Sequence, residues 1–200
     1  MSIYLLKPRF QALLRPGVGA LHAAGVTANQ VTLAACAISL MLGIGLYAAG
    51  APRAALALIP LWMFVRMAFN AVDGMLAREF GQASKLGAFL NELTDVIADA
   101  ALYLPLALVA PFAPVWVGAF IVMAGLSEFA GALGTTVGAS RRYDGPMGKS
   151  DRAFFVGAIA LWAAIAPIPE AASLLMPLLT LLTAWTVANR VRRALAEASA

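Results

Sequence analysis

The sequence is poor in several residue types on which other classes of protein depend. Among 200 residues it has one cysteine, Cys36, and one histidine, His22. A single cysteine excludes a disulfide framework and a cysteine-based metal cluster. His22 lies before the first long apolar stretch, which argues against a catalytic role. Charged residues make up only 12% of the chain and the net charge is +4, so we expect no nucleic-acid partner.

Apolar residues make up 62% of the sequence, whereas a soluble domain has about 45–50%. One helical crossing of a bilayer takes about 20 apolar residues. Stretches of roughly that length lie at residues 31–49, 54–76, 86–110, 114–137, 152–168 and 171–189. The connections between them are short. We therefore predict an all-α fold, a polytopic membrane protein with six transmembrane helices in a single domain over residues 1–200.

The basic residues predict the orientation of these helices. Lys and Arg accumulate on the cytoplasmic side of membrane proteins. With six spans, all of the 14 basic residues except Arg53 and Arg66 fall on one side, so both termini are predicted to be cytoplasmic. The segment from Met1 to Pro16 is interrupted by basic residues and lacks a long apolar core. It predicts a short amphipathic helix on the membrane surface.

Polar residues recur at helical spacing where the second and third apolar stretches approach each other. Asn70 and Asp73 share one face of the second helix, and Asn91 and Asp95 share one face of the third. A short connection makes the two helices antiparallel neighbours, so these faces can oppose each other. Opposed oxygen atoms suit a hard cation such as Mg²⁺. The alternative is a polar network that only holds the helices together.

Two further charges are predicted deeper in the membrane. Arg66 precedes Asp73 by seven residues and Asp99 follows Asn91 by eight, which places both about 10–12 Å below the polar faces at a rise of 1.5 Å per residue. An unpaired buried cation is costly. We therefore expect Arg66 to pair with Asp99 or, from the fourth stretch, with Glu128.

The spacing of these residues resembles a family signature. The run Asp73-Gly74-x-x-Ala77-Arg78, then eight residues, then Gly87-x-x-x-Asn91-x-x-x-Asp95, is similar at every spacing to D-x-x-D-G-x-x-A-R-x8-G-x-x-x-D-x-x-x-D of the CDP-alcohol phosphotransferases. The resemblance extends to six spans, to Asn29-x-x-Thr32 and to Gly148-Lys149. The sequence also resembles a bacterial subgroup of this family whose third helix likewise reads L-N-E-x-x-D.

The resemblance implies transfer of a phosphatidyl group from CDP-diacylglycerol to an alcohol, with release of CMP, in the inner membrane. It implies that Asp73 and Asp95 bind one or two Mg²⁺ or Mn²⁺ ions, with Asn70 and Asn91 as neutral ligands where the family has aspartates. Asp95 would also act as general base. The implied CDP-pocket residues are Gly74, Ala77, Arg78 and Gly87. Membrane lipids surround such an enzyme, and the family implies a homodimer.

The loop between the fourth and fifth stretches is rich in cations. Arg141, Arg142, Lys149 and Arg152 are candidates for binding an anionic acceptor, such as a phosphorylated alcohol, or the phosphate of the lipid itself. The alternative is ordinary positive flanking of a membrane helix.

Two rival functions follow from the same residues. Loss of two metal carboxylates, at Asn70 and Asn91, would suit a nucleotide-lipid binding protein that no longer turns over. Intramembrane charges also mark ion paths in transporters. A transporter requires polar residues that continue to the far side, whereas these stretches become apolar beyond Arg66 and Asp99.

Overall fold

The computed structural model describes residues 6–199; residues 1–5 of the predicted surface helix lie outside that range. Seven α-helices follow one another, and no strand occurs among the described residues. The helices are α1 Leu6–Ala23, α2 Ala28–Ala48, α3 Leu58–Glu79, α4 Lys85–Tyr103, α5 Pro114–Leu133, α6 Lys149–Ile165 and α7 Leu175–Ala198. Short 3₁₀ turns extend α3 and α7 at their starts and α4 and α5 at their ends, over Arg53–Ala57, Glu170–Leu174, Leu104–Leu108 and Gly134–Val137. The all-α prediction is confirmed.

Each predicted apolar stretch forms one of the helices α2 to α7. The segments long and apolar enough to cross a membrane are Ala28–Ala48, Arg53–Glu79, Pro114–Val137 and Glu170–Ala198. The helix α4 carries several charges and α6 has only 17 residues, so neither meets that criterion by itself. Six spans therefore stay a prediction.

The N-terminal helix α1 runs past Pro16 to Ala23, although a proline inside a helix removes one hydrogen bond and normally ends or bends it. Packing explains the continuation. Val18 is fully buried in an apolar cluster with Met75 and Leu76 of α3. Arg15 also pairs with Glu79 of α3, with an Nη2–Oε1 distance of 3.0 Å. The helix itself is present, and its position on a membrane surface stays a prediction.

Hydrogen bonds at the helix caps hold several helix ends together at one end of the molecule. The Thr27 side chain accepts from the backbone N–H of Gln30 at the start of α2, and the backbone N–H of Ala28 donates to the Gln82 side chain at 2.7 Å. The Ser84 hydroxyl caps α4 by accepting from the Gly87 N–H at 2.9 Å. The starts of α2 and α4 are thereby held beside the end of α3. Because successive helices alternate in direction, the start of α6 and the end of α7 lie at this end as well.

The opposite half of the bundle is filled by apolar side chains. One cluster of buried residues draws on the far ends of α2 to α7 and includes Leu46, Ile59, Leu102, Phe120 and Met176. Within the described chain this far half is therefore packed mainly by apolar side chains.

A close approach between α2 and α4 gives a test of this packing. A Cβ added at Gly43 would lie 2.1 Å from the Ala101 carbonyl oxygen, and backbone cannot move aside as a flexible side chain would. We expect Gly43→Ala to destabilise the protein by about 1–3 kcal/mol or more. Thermal unfolding in detergent should show a melting temperature lower by at least about 3 °C. Gly45→Ala is the matched control, because nothing lies within 4 Å of its added Cβ. Equal melting temperatures for the two variants would contradict the packing.

Candidate active site

The buried carboxylate of Asp73 is held by a neighbouring helix. Its side chain is almost inaccessible, and its Oδ2 accepts a hydrogen bond from the Thr32 hydroxyl of α2 at 2.8 Å. Thr32 belongs to the Asn29-x-x-Thr32 pair at the start of α2. Thr32 thus fixes the orientation of the one unsubstituted carboxylate on the α3 face.

A cavity of about 390 Å³ lies between α2, α3 and α4, and we call it the signature cavity. Oxygen-bearing side chains line it, and so do the small residues of the signature. They include Asn70, Asp73, Gly74, Ala77, Arg78, Gly87, Asn91 and Glu92. All of the residues that the resemblance implies for metal or nucleotide binding are therefore brought together here, except Asp95.

Two glycines allow polar side chains to pack closely in the wall of the signature cavity. A Cβ at Gly74 would lie 2.7 Å from Nη2 of Arg78, and one at Gly87 would lie 2.9 Å from Oδ1 of Asn29. Because these positions carry no side chain, the polar groups of Arg78 and Asn29 can lie directly against the helix backbone.

Asp95 lies one helical turn after Asn91 on α4, and it lines a different cavity. Its Oδ1 accepts from Nη2 of Arg66 at 2.9 Å, and its Oδ2 is paired with the Lys149 ammonium. Both oxygens thus already bind cations of the chain itself. Within residues 6–199, no three histidine, cysteine, aspartate or glutamate side chains gather closely enough to hold a metal ion. Asp95 is thus not among the lining residues of the signature cavity, and its role as a metal ligand stays a prediction.

The deeper pair forms as predicted. Nη1 of Arg66 lies 2.5 Å from Oδ1 of Asp99, and both side chains are buried. The alternative partner, Glu128, instead binds Arg152 at 2.7 Å. Arg66 thereby bridges Asp99 and Asp95 below the signature cavity.

A second cavity of about 400 Å³, the polar cavity, lies beside Asp95. Its charged lining residues are Glu92, Asp95, Glu128, Arg141, Lys149, Asp151 and Arg190. Two of the predicted acceptor-binding residues, Arg141 and Lys149, are therefore in its wall.

The other two predicted acceptor-binding residues contact different groups. Arg142 pairs with Asp144 at 2.8 Å and with Glu197 of α7. Arg152 is 1% exposed and donates to the Ser127 hydroxyl and to Glu128. Neither side chain lines the polar cavity.

Sequence reasoning missed Arg190, which is 1% exposed and lines the polar cavity. Arg190 follows an apolar stretch, where basic residues ordinarily flank a membrane helix, so its position alone does not indicate a site residue. The seven residues from Arg190 to Ala196 include three arginines, however, and this density could have indicated that one of them turns inward.

The third cavity is an apolar groove of about 620 Å³ between α3 and α6. Its walls are formed largely by apolar side chains, among them Pro60, Met63, Phe64, Met67, Phe154 and Leu161. Arg66, Asn70 and Lys149 also line it and add polar groups.

The three cavities share walls. Glu92 lines both the signature cavity and the polar cavity, Asn70 lines the signature cavity and the apolar groove, and Lys149 lines the groove and the polar cavity. Three compartments of different chemistry are thus joined pairwise through Glu92, Asn70 and Lys149, and Asp95 lines the polar cavity. Such a site can hold three molecular parts next to one another.

Comparison with known proteins identifies the family. A family model described as CDP-alcohol phosphatidyltransferase matches residues 25–188. The chain belongs to this family. It is therefore a member of a transferase family of phospholipid biosynthesis, and the resemblance read from the signature is confirmed.

Relatives extend the match to nearly the whole chain. The inner membrane protein YnbA of Escherichia coli (strain K12) is 45% identical over 196 residues, which are 98% of this chain and 97% of YnbA. The archaetidylinositol phosphate synthase of Aeropyrum pernix is 30% identical over 125 residues, which are 57% of this chain and 64% of the synthase.

Solved structures share the fold. The crystal structure of Mycobacterium tuberculosis phosphatidylinositol phosphate synthase with CDP-DAG bound superposes with a TM-score of 0.75 at 24% identity, covering 90% of this chain and 92% of that one. The same synthase in complex with manganese and citrate gives a TM-score of 0.74 at 24% identity, covering 90% of this chain and 87% of that one.

Proposed function

We propose that this protein transfers a phosphatidyl group from CDP-diacylglycerol to an alcohol and releases CMP. The observation that carries the proposal is the presence of three neighbouring cavities of different chemistry that share wall residues, with Asp95 in the wall of the polar cavity. The signature cavity would take the CDP part, the apolar groove the diacylglycerol chains, and the polar cavity the alcohol. Neither a binding protein without turnover nor a structural polar network requires a third, separate compartment beside the lipid and the nucleotide.

The signature cavity fits a divalent cation. Carboxylate and amide oxygens are suitable ligands for Mg²⁺ or Mn²⁺, and Asp73, Asn70 and Asn91 would hold it. When bound, such an ion would neutralise the pyrophosphate oxygens and stabilise the departing CMP. Because Arg66 and Lys149 already occupy Asp95, we propose one ion rather than two.

The residues of the chain would carry out the remaining steps. The acceptor oxygen forms a bond to the phosphorus that bears the diacylglycerol, its proton passes to the Asp95 carboxylate, and the phosphoanhydride bond to CMP breaks. Arg66 and Lys149 hold that carboxylate in place, where the polar cavity opens. Arg141 and Lys149 would bind acceptor hydroxyls, and the nucleotide would lie against Gly74, Ala77, Arg78 and Gly87. Arg142 and Arg152 would support this wall without touching the acceptor.

We further propose six membrane spans, α2 to α7, in one domain, with both termini cytoplasmic in the inner membrane. The outward faces of the two less apolar helices support this. On α4, the exposed large side chains are Leu86, Phe89, Leu93 and Ile97, and on α6 they are Phe154, Phe155, Leu161, Trp162 and Ile165. The charges of both helices lie mainly on the inner side, so lipid would meet apolar surface. A homodimer is proposed from family resemblance, and light scattering of the purified protein in detergent tests it.

The direct test measures CMP released from CDP-diacylglycerol by the purified protein with a panel of alcohols. We expect CMP and a new phospholipid, identified by mass spectrometry, in stoichiometric amounts. Binding of CDP-diacylglycerol without CMP release from any alcohol would favour the rival, a catalytically inactive nucleotide-lipid binding protein.

Restoring the family's aspartates tests the metal site. The double variant Asn70→Asp, Asn91→Asp adds two carboxylates to the signature cavity, so we expect Mn²⁺ to bind at least about tenfold more tightly, which corresponds to about 1.4 kcal/mol. Isothermal titration of the two proteins with Mn²⁺ measures this. Asn189→Asp, on α7 outside the cavity, is the matched control. Unchanged affinity in the double variant would mean that these side chains do not reach the ion.

A further inference from the structure

The polar cavity, which would take the acceptor, is lined by a carboxylate that lies among arginines of the protein itself. The Glu128 carboxylate lies among three guanidinium groups, with Oε1 at 2.7 Å from Nη2 of Arg152 and 3.4 Å from Nη1 of Arg190, and Oε2 at 3.3 Å from Nη2 of Arg141. The side chains of Glu128, Arg152 and Arg190 are each at least nine-tenths buried. Three arginines around one point would ordinarily form a site for a phosphate group. Here a side chain of the protein occupies that position.

The remaining cations of the polar cavity are paired as well. Arg141 also donates to Glu92 at 2.7 Å, and Lys149 binds Asp95. The fourth carboxylate, Asp151, accepts the backbone N–H of Gly148 at the start of α6. Among the described residues, the cavity is thus lined by four carboxylates and three cations, and each of those cations has a carboxylate partner.

This charge pattern discriminates between acceptors. A phosphate group entering the cavity would face carboxylates. To bind the buried arginines Arg152 and Arg190 it would have to displace Glu128, which leaves an unpaired buried charge. A neutral hydroxyl meets no such penalty, because it can donate to a carboxylate and accept from Arg141 or Lys149. Specificity arises here from repulsion of the wrong substrate as much as from contacts with the right one.

We infer that the polar cavity accepts an alcohol without a phosphate group, and that Glu128 is the residue that excludes phosphorylated alcohols. The inference rests on the proposed function and names its acceptor class. Glu128 acts on specificity, since it would meet the acceptor without taking part in the bond changes.

The first measurement uses matched acceptor pairs. Purified protein in lipid nanodiscs receives CDP-diacylglycerol with glycerol or glycerol 3-phosphate, and with myo-inositol or inositol 1-phosphate. For at least one pair, we expect the unphosphorylated alcohol to release CMP at least about tenfold faster. Faster release from both phosphorylated partners would overturn the inference.

The second measurement does not depend on turnover. Inorganic phosphate is titrated against wild type and Glu128→Gln, and thermal stability reports binding. We expect no shift at millimolar phosphate for wild type and a clear stabilisation for Glu128→Gln, whose arginines lack their carboxylate. Should that variant fail to fold, Glu92→Gln removes one of the two carboxylate partners of the more accessible Arg141 and should give a smaller shift. Stabilisation of wild type by phosphate, abolished in Arg141→Ala, would overturn the inference.

The two measurements separate the two proposals. If no alcohol releases CMP, yet phosphate stabilises only the glutamine variants, the proposed turnover fails and the exclusion of phosphorylated ligands stands. If CMP is released only with glycerol 3-phosphate or inositol 1-phosphate, the proposed function stands and the inference fails.

Discussion

Asp95→Asn is expected to lower CMP release by about 10²–10⁴-fold, the usual contribution of a general base, while CDP-diacylglycerol binding changes only a few-fold. The physical reason is the position of the carboxylate. It lies in the wall of the polar cavity rather than of the signature cavity, so it can take a proton from the acceptor but contributes little to the nucleotide pocket. Turnover is measured as CMP release, and binding by displacement of a fluorescent CDP-lipid.

The variant also disturbs two ion pairs, and this needs a control. An amide can accept from Arg66 or Lys149 but cannot neutralise either of them. Lys149→Met removes one of these cations, and the double variant Asp95→Asn, Lys149→Met shows whether the freed ammonium causes the loss. Asp144→Asn makes the same chemical change in an ion pair outside the three cavities. Equal losses of binding and turnover in Asp95→Asn would identify Asp95 as a nucleotide or metal ligand instead.

Asp73 provides the contrasting case. It lines the signature cavity and is held there by Thr32, and Glu92 is the only other carboxylate among the described lining residues. We therefore expect Asp73→Asn to weaken Mn²⁺ binding and CMP release together. If Asp95→Asn lowers turnover alone, whereas Asp73→Asn lowers Mn²⁺ binding and turnover together, the general-base role belongs to Asp95 and the metal-binding role to Asp73.

The sequence predicted the helices and the signature face well, because both depend on local spacing. Apolar stretches of membrane length became α2 to α7, and residues at helical spacing, Asn70 with Asp73, share a cavity wall. The rise per residue and the direction of each helix place Arg66 level with Asp99, and an unpaired charge in lipid is so costly that a partner at the same depth can be predicted.

The sequence did not predict how charges from distant segments compete for partners. Asp95 matches the metal signature by spacing, yet Lys149, more than 50 residues away, reaches its carboxylate. Glu128 was a candidate partner for Arg66, but Arg152 and Arg190 surround it instead. Such choices depend on the three-dimensional packing of α5, α6 and α7. The apolar groove between α3 and α6 was missed for the same reason, because a groove depends on the separation of two helices.

The Arg66 pair predicts a large effect on stability. Arg66→Met leaves Asp99 unpaired in a nearly inaccessible position, whereas Asp95 retains Lys149. Breaking a buried ion pair by removal of one partner typically costs about 3–5 kcal/mol. For a protein of this size, about 3 kcal/mol corresponds to a fall in melting temperature of roughly 6–12 °C. Thermal unfolding in one detergent, followed by tryptophan fluorescence, measures the change.

A second substitution tests whether the loss of the Arg66–Asp99 pair causes the lower melting temperature. Adding Asp99→Leu to Arg66→Met removes the orphaned carboxylate and restores apolar contacts, so the double variant should regain about half of the lost melting temperature. Arg53→Met is the matched control, because Arg53 donates to the Ala163 carbonyl and no carboxylate of residues 6–199 pairs with it. We expect the melting temperature of that control variant to change by only a few degrees. A double variant no more stable than Arg66→Met alone would mean that Asp99 was never the charge that Arg66 neutralises, and that the bridge to Asp95 holds the two helices instead.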